Sequence, residues 1–334
     1  MSSEAAAGVP SATIAGFAER HPTVVFLVRR TARMIVALVV LLVLSFSMIH
    51  LVPGDPVRAQ LGPRAPASLV EQRQAELGLD QPLPQQFADY VKGLFTGDLG
   101  MSSSSDLPVS DVIGQRLPHS AALAGIAFVV IMLLSITIGM AAAILTRDGR
   151  GRGTELTFTT TTGFFATIPE FVLGVGLVYL FGVELQVLPV AYEPGVAAYI
   201  LPVAALSIGS IAALARIVRA ETLDALGSDY MRTARSKRLP ARLLYLRHAL
   251  PNMLTSTLTL GGLLLSGLIG GTVLVENVFA WPGLGTAVVD SVVAQDYALA
   301  QAIMLLLGAT VLVVNLAVDL ILGVVDPRST IKEM

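Results

Sequence analysis

Cysteine is absent from the 334 residues, so disulfides, thiolate catalysis and Cys-ligated metal sites are all excluded. Charge is scarce as well: 14% of the chain is Asp, Glu, Lys or Arg, against about 25% in soluble domains. A net charge of −2 gives no reason to expect a nucleic acid as partner. The four histidines, His21, His50, His119 and His248, stand singly, without the paired spacing a zinc site needs. None of the three lysines, Lys92, Lys237 and Lys332, follows a glycine, so the Gly-Lys-Ser/Thr phosphate loop is missing. His-Glu-x-x-His, Gly-x-Ser-x-Gly and Gly-x-Gly-Asp are missing too, which argues against a membrane-embedded hydrolase.

What the chain has in excess is apolar residues, 54% of the total. A bilayer core of about 30 Å needs about 20 of them in one helix. Six runs qualify, at 34–52, 118–145, 156–182, 196–218, 251–275 and 298–325. The first lacks a small-residue cleavage site and is read as a retained span. Lysine and arginine are distributed unevenly: seventeen fall on the side of the N-terminus and five on the other, all five in the loop 53–117. The excess marks the cytoplasmic side and predicts both termini inside, with tails at 1–33 and 327–334. Loop 53–117 is expected to form a small extracytoplasmic domain with a turn at Pro53-Gly54-Asp55-Pro56 and a short helix near 69–77.

The inner loop, 219–250, is more informative. The fourth span is expected to run on as helix to Leu226, with Gly227 as its breaker and Ser228 capping a new ten-residue helix, 229–238. Leu239-Pro240 would end it. Tyr230, Met231, Ala234 and Leu239 make one side, with Arg232, Arg235, Lys237 and Arg238 around them. Such a helix suits either anionic lipid headgroups or a cytoplasmic partner.

The stretch Tyr230-Met231-Arg232-Thr233-Ala234-Arg235-Ser236-Lys237, followed by Arg247-His248-Ala249-Leu250-Pro251-Asn252, resembles the EAA loop of binding-protein-dependent ABC importer permeases. That pattern is Glu-Ala-Ala, three residues, Gly, nine residues, then aliphatic-x-Leu-Pro. Arg232-Thr233-Ala234 take the first places and Leu250-Pro251 the last, while Arg238 stands where the family has Gly. His50-Leu51-Val52-Pro53-Gly54-Asp55-Pro56, Gly78-Leu79-Asp80-Gln81-Pro82, Gly97-Asp98-Leu99-Gly100, Pro169-Glu170-Phe171, the run from Glu276 to Gly285, Asn315-Leu316-Ala317-Val318-Asp319 and Asp326-Pro327-Arg328 extend the resemblance. It is nearest to the B-type subunit of the dipeptide, oligopeptide and nickel importers.

The resemblance implies a fold, partners and a location. The fold would be the all-α type I importer permease fold, with a core at 118–326, in a bacterial inner membrane. The chain would be non-catalytic. Two ATPase subunits would bind ATP and magnesium, a homologous C-type permease would complete the channel, and an extracytoplasmic binding protein would deliver cargo. Dipeptides or short oligopeptides are the expected cargo, with nickel, haem-related compounds and oligosaccharides carried by relatives. Tyr230, Arg232, Thr233, Ala234, Arg235, Lys237, Arg238 and Leu239 would form the ATPase-coupling helix, and His248, Leu250 and Pro251 close the loop. A secondary transporter would instead show paired broken helices and internal repeats.

Glu170 falls midway along the third run, where it either lines a path or bonds to a neighbouring helix, with Pro169 freeing a carbonyl. Thr259 and Ser266 belong to a fifth run rich in small and hydroxyl residues, suited to close packing or to lining a path. Asn315 and Asp319, four apart, suit interhelical hydrogen bonds. Glu276, Phe279, Trp281, Pro282, Gly283 and Gly285 read as an outer re-entrant hairpin, either a gate or binding-protein contact, or an interfacial anchor.

Overall fold

The computed structural model describes residues 22–51, 56–62, 64–76, 78–149 and 151–325. The tails 1–21 and 326–334 and the expected turn at 53–55 lie outside the described residues. Within them the chain is helical, since apolar backbone in a membrane must satisfy its own polar groups. α1 (Pro22–Leu51) is followed by α2 (Pro56–Leu61), α3 (Ala67–Glu76) and α4 (Leu83–Thr96). Next come α5 (Val109–Leu145), α6 (Arg152–Thr167), α7 (Glu170–Leu177) and α8 (Ala197–Gly227). The order closes with α9 (Asp229–Ser236), α10 (Leu250–Val278), α11 (Leu284–Val293) and α12 (Tyr297–Val325). Among the described residues five helices are long and apolar enough to cross a membrane, and six if the bent pair of α6 with α7 counts as one span.

Two of these elements differ from the hydropathy reading. α5 begins at Val109, nine residues before the expected start of the second span at 118. Those residues lack an apolar run but place Val109 and Ile113 four apart, and both are buried against α11 and α12. At 37 residues, α5 is about 55 Å long and projects beyond the bilayer core. The third span is not continuous: α6 and α7, which runs on through π-wound turns Val178–Glu184, meet at 97°. Pro169 has no N–H to donate, and Ile168 before it is extended (φ −83°, ψ 123°), the conformation a following proline imposes. Glu170 is therefore the first residue of a helix rather than the middle of one.

The core lies between α5, α8 and α10. Leu123, Ala127 and Ile131 recur every four residues on α5 and meet Leu201, Leu206, Leu214 and Val218 of α8 and Met253, Leu268 and Val275 of α10. α5 and α8 touch backbone to backbone, since a Cβ on Gly139 would sit 2.6 Å from the Ala215 carbonyl oxygen. α1 and α12 form an outer pair, tied by a two-contact ion pair between Arg30 and Asp319 and by Ser45 Oγ donating to the Gln301 carbonyl (3.1 Å).

The segments between α1 and α5 are pinned from two sides. Phe46 of α1 takes Phe87 edge-on at 5.2 Å and Tyr90 at 5.9 Å, which seats α4. The serine turn before α5 wraps the carboxylate of Asp296, which is wholly buried. Asp296 accepts from Ser102 Oγ (2.5 Å), Ser104 Oγ (2.8 Å), Ser104 N (3.1 Å) and Leu299 N (3.2 Å). Burial pushes this carboxyl up, but the bonds from Ser102, Ser104 and Leu299 outweigh it and hold it below its ordinary 3.8. Its contribution to stability is thus complete above that value and is lost as pH falls through the lower folded one. Asp296→Asn is expected to cost about 1.5–3 kcal/mol at neutral pH, as for hydrogen bonds to a charged group. Thermal unfolding checks it, with the wild-type advantage shrinking in strong acid.

Candidate functional site

The inner loop is built on the end of α8. That helix runs to Gly227, still helical, and Ser228 turns extended (ψ 157°). The Ser228 hydroxyl does not cap the next helix; it donates back to the Ala225 carbonyl at 2.6 Å. α9 covers eight residues, not ten, with Asp229 in its first turn, where an acid is favoured. Met231 and Ala234, three apart, bury themselves against Leu226, Leu244 and Ala249, with Leu239 and Tyr245 at the margin. Tyr230 does not join that apolar side: it is exposed, as are Arg232, Thr233, Lys237 and Arg238.

Arg235 departs from the exposed basic set. Its Nη2 donates to the Leu226 carbonyl at 2.6 Å, one of the last carbonyls of α8 that has no partner within its own helix. A guanidinium at a helix C-terminus is also favoured by the helix dipole. The residue thus fastens α9 to the span above it. By contrast Arg232 and Asp229, paired at 3.4 Å with both side chains open to solvent, contribute little.

Arg238 sits at φ +53°. This left-handed conformation is open to glycine and costs other residues about 1–2 kcal/mol, which accounts for a glycine at that place in the EAA pattern. The turn survives because Arg238 N bonds the Arg235 carbonyl (2.9 Å) and Pro240 stops the helix. From Ala241 the chain winds through one α-turn and a π-helical run, Leu244–Ala249, directly into α10. His248 is half-buried in that run, Leu250 is half-buried against the core, and Pro251 is exposed in the first turn of α10.

Further contacts extend the loop into the bundle. Thr222 Oγ1 lies 2.9 Å from Met253 Sδ, joining α8 to α10. Arg219 of α8 reaches Thr146 Oγ1 (3.0 Å) at the end of α5 and Glu155 Oε1 (2.7 Å) at the start of α6. Reading the loop as a run of basic residues missed this role; the signal available was a lone Glu155 facing a basic stretch across a short loop.

At the opposite end, most of the candidate residues between Glu276 and Gly285 are interior rather than surface. Glu276 and Trp281 are wholly buried and Phe279 is 2% exposed. Trp281 lies edge-on to Tyr192 (4.8 Å) and Tyr199 (4.6 Å) and donates from Nε1 to the His119 carbonyl (3.2 Å). Glu276 Oε2 accepts from Gly285 N at 2.6 Å, and Cβ atoms on Gly283 or Gly285 would strike that carboxylate. Of the six candidate residues only Pro282 is partly open, while Asn277 and Ala280 between them are exposed; the buried side chains hold the hairpin together.

The two candidate path helices are distinct in their contacts. Ser266 donates to Asn315 Oδ1 (2.7 Å), binding α10 to α12, and Gly262 lets Val318 of α12 approach. Thr259 is half-buried on α10. Glu170 is half-buried, with its carboxylate against Gly271, and among the described residues it has no hydrogen bond or ion pair. Beyond it Leu263, Gly267, Gly270, Leu274 and Asn277 of α10 form an exposed stripe at helical spacing, with open space at both glycines. Thr157, Thr160 and Thr161 of α6 are likewise exposed. The threonines escaped sequence reading because a Thr-rich run inside an apolar window looks like ordinary span.

Four substitutions test this geometry. Arg238→Gly is expected to raise the thermal midpoint, by about 1 kcal/mol of relieved backbone strain; Arg235→Ala should lower it, leaving the Leu226 carbonyl unmet. Gly285→Ala should cost about 1–3 kcal/mol through overpacking, whereas Gly270→Ala, facing open space, should be neutral.

Residues 135–331 match the family described as binding-protein-dependent transport system inner membrane component. Residues 23–124 match the N-terminal region of such membrane components. The chain is 37% identical over 307 residues to the glutathione transport system permease protein GsiC of Escherichia coli O6:H1 strain CFT073, spanning 92% of this chain and 99% of that protein. The same figures hold for GsiC of Shigella flexneri serotype 5b strain 8401. In fold it resembles an inward-facing structure of the MetNI methionine ABC transporter, with a TM-score of 0.54 and 18% identity over 64% of this chain and 96% of that one. The family implies ATPase and substrate-binding partners, and the chain's apolar helices make it a multi-pass inner-membrane protein. With an all-α membrane fold of the type I importer kind and matches running nearly end to end, the chain belongs to the binding-protein-dependent ABC importer permeases, as a non-catalytic membrane subunit of the B-type.

Proposed function

We propose that this chain forms half of the channel of an ATP-driven importer of short peptides, and that it receives work through α9. The observation that carries the reading is the division of α9 into two faces. Met231, Ala234 and Arg235 are committed to the chain's own α8 and the π-helical run Leu244–Ala249, while Tyr230, Arg232, Thr233 and Lys237 are left exposed. An aromatic ring with cations beside it suits a groove on a protein partner. Two ATPase subunits would hold the ATP and magnesium, and a homologous C-type permease the other half of the channel. A binding protein would deliver cargo to the outer face. The excess of lysine and arginine at the α9 end supports both termini lying in the cytoplasm. Peptidic cargo is supported by the B-type resemblance and by relatives described as glutathione permeases.

Tyr230→Ala with Arg232→Ala should leave membrane insertion intact and reduce uptake about tenfold or more, the loss expected when hot-spot contacts worth 1.4 kcal/mol or more are removed. Uptake of radiolabelled dipeptide and glutathione into vesicles, together with copurification of the ATPase, checks it. Unchanged uptake by the double variant contradicts the docking role.

A further inference from the structure

A carboxylate within a membrane span costs about 2.5–3.5 kcal/mol unless it meets a cation, a hydrogen-bond partner or water. Glu170 has neither of the first two among the described residues of its own chain, and it is only half-buried. It stands at the 97° break between α6 and α7, so backbone carbonyls around Ile168 and Pro169 are also loosed from regular helix bonding. Open surfaces lie on α10, which its carboxylate touches, and on α6, which precedes it in the chain. One is the stripe of α10 holding Gly267 and Gly270, next to the Gly271 that its carboxylate touches. The other is the α6 face with Thr157, Thr160 and Thr161, whose hydroxyls make no hydrogen bond among the described residues. Hydroxyls turned to lipid would ordinarily bond back to the carbonyl one turn earlier, as Thr162 does to Phe158 (2.6 Å). The hydroxyls of Thr157, Thr160 and Thr161 are therefore free to bond water or a polar solute.

We infer that Glu170 is the cargo-contacting residue of the path and that its ligand is an ammonium group, the free amino end of a peptide, with the α6 threonines forming the wet lane beside it. This rests on the importer reading and names the chemistry of its cargo site. Substrates whose amino group is blocked would lose the charge pairing, and the open space at Gly267 and Gly270 leaves that side of α10 unobstructed.

The absence of cysteine makes the test direct. Thr160→Cys and Gly270→Cys are each introduced alone and with Glu170→Gln. The assembled transporter in membrane vesicles is then labelled with a trimethylammonium and with a sulfonate methanethiosulfonate. Both positions should react, and the cationic reagent should be favoured over the anionic by about tenfold beyond its ratio on a free thiol. Glu170→Gln should abolish that preference. A dipeptide with a free amino terminus should slow labelling at Gly270→Cys, and its N-acetyl form should not. No labelling, a charge preference untouched by Glu170→Gln, or equal protection by the two dipeptides overturns the inference. So does loss of complex assembly in Glu170→Gln, which would show the carboxylate paired with a cation of the partner permease. The importer reading fails separately, if no ATPase copurifies, because labelling does not require hydrolysis.

Discussion

The contact on which the rest depends is the seat of α9 beneath α8. Two buried side chains and one guanidinium hold eight residues of helix that are too short to be stable alone. Met231 and Ala234 supply apolar contact, and Arg235 bonds a carbonyl that the end of α8 leaves open. A docking helix that merely lay on the membrane would transmit force poorly. Fixed to the end of α8 and to the π-helical run that leads into α10, α9 has contacts through which a push would reach both spans, and Arg219 of α8 links on to the ends of α5 and α6.

The same economy of small residues and single polar contacts appears deeper in the bundle. In lipid the drive to associate comes from close packing and hydrogen bonds, since apolar side chains are equally at home in acyl chains. Gly139 against the Ala215 carbonyl, Gly262 against Val318 and Ser266 on Asn315 each serve that end. Gly267 and Gly270, like Gly125, Gly163 and Gly176, face open space instead, and these two lie beside the Gly271 touched by the carboxylate of Glu170.

Much of this was legible in residue order. Six apolar runs, the helix continuing to residue 226 and the short helix after it follow from hydropathy and breakers, and α8 and α9 occupy nearly those positions. The break in the third span was marked by Pro169 but masked by the apolar residues on both sides, which sum to one run in any hydropathy window. The outer extension of α5 was hidden for the opposite reason, because Val109 and Ile113 are too few to register and are buried only through α11 and α12. Which way a side chain points was the least legible feature. Arg235 and Arg232 are chemically alike and three apart, yet one bonds the chain's own carbonyl and the other meets solvent. Likewise Trp281 reads as an interfacial anchor until Tyr192 and Tyr199 are seen to enclose it.

The central claim is that α9 and the inner part of α8 move as one body when nucleotide is bound. Spin labels at Thr233→Cys and Ile217→Cys, both on exposed positions of an otherwise cysteine-free chain, measure it by pulsed electron resonance in the assembled transporter. The account predicts an interlabel distance that is the same in the nucleotide-free and ATP-trapped states, while the distance from Thr233→Cys to Val293→Cys at the outer end of α11 changes. A distance between 233 and 217 that shifts or broadens with ATP, as a hinge at Ser228 would produce, would contradict it.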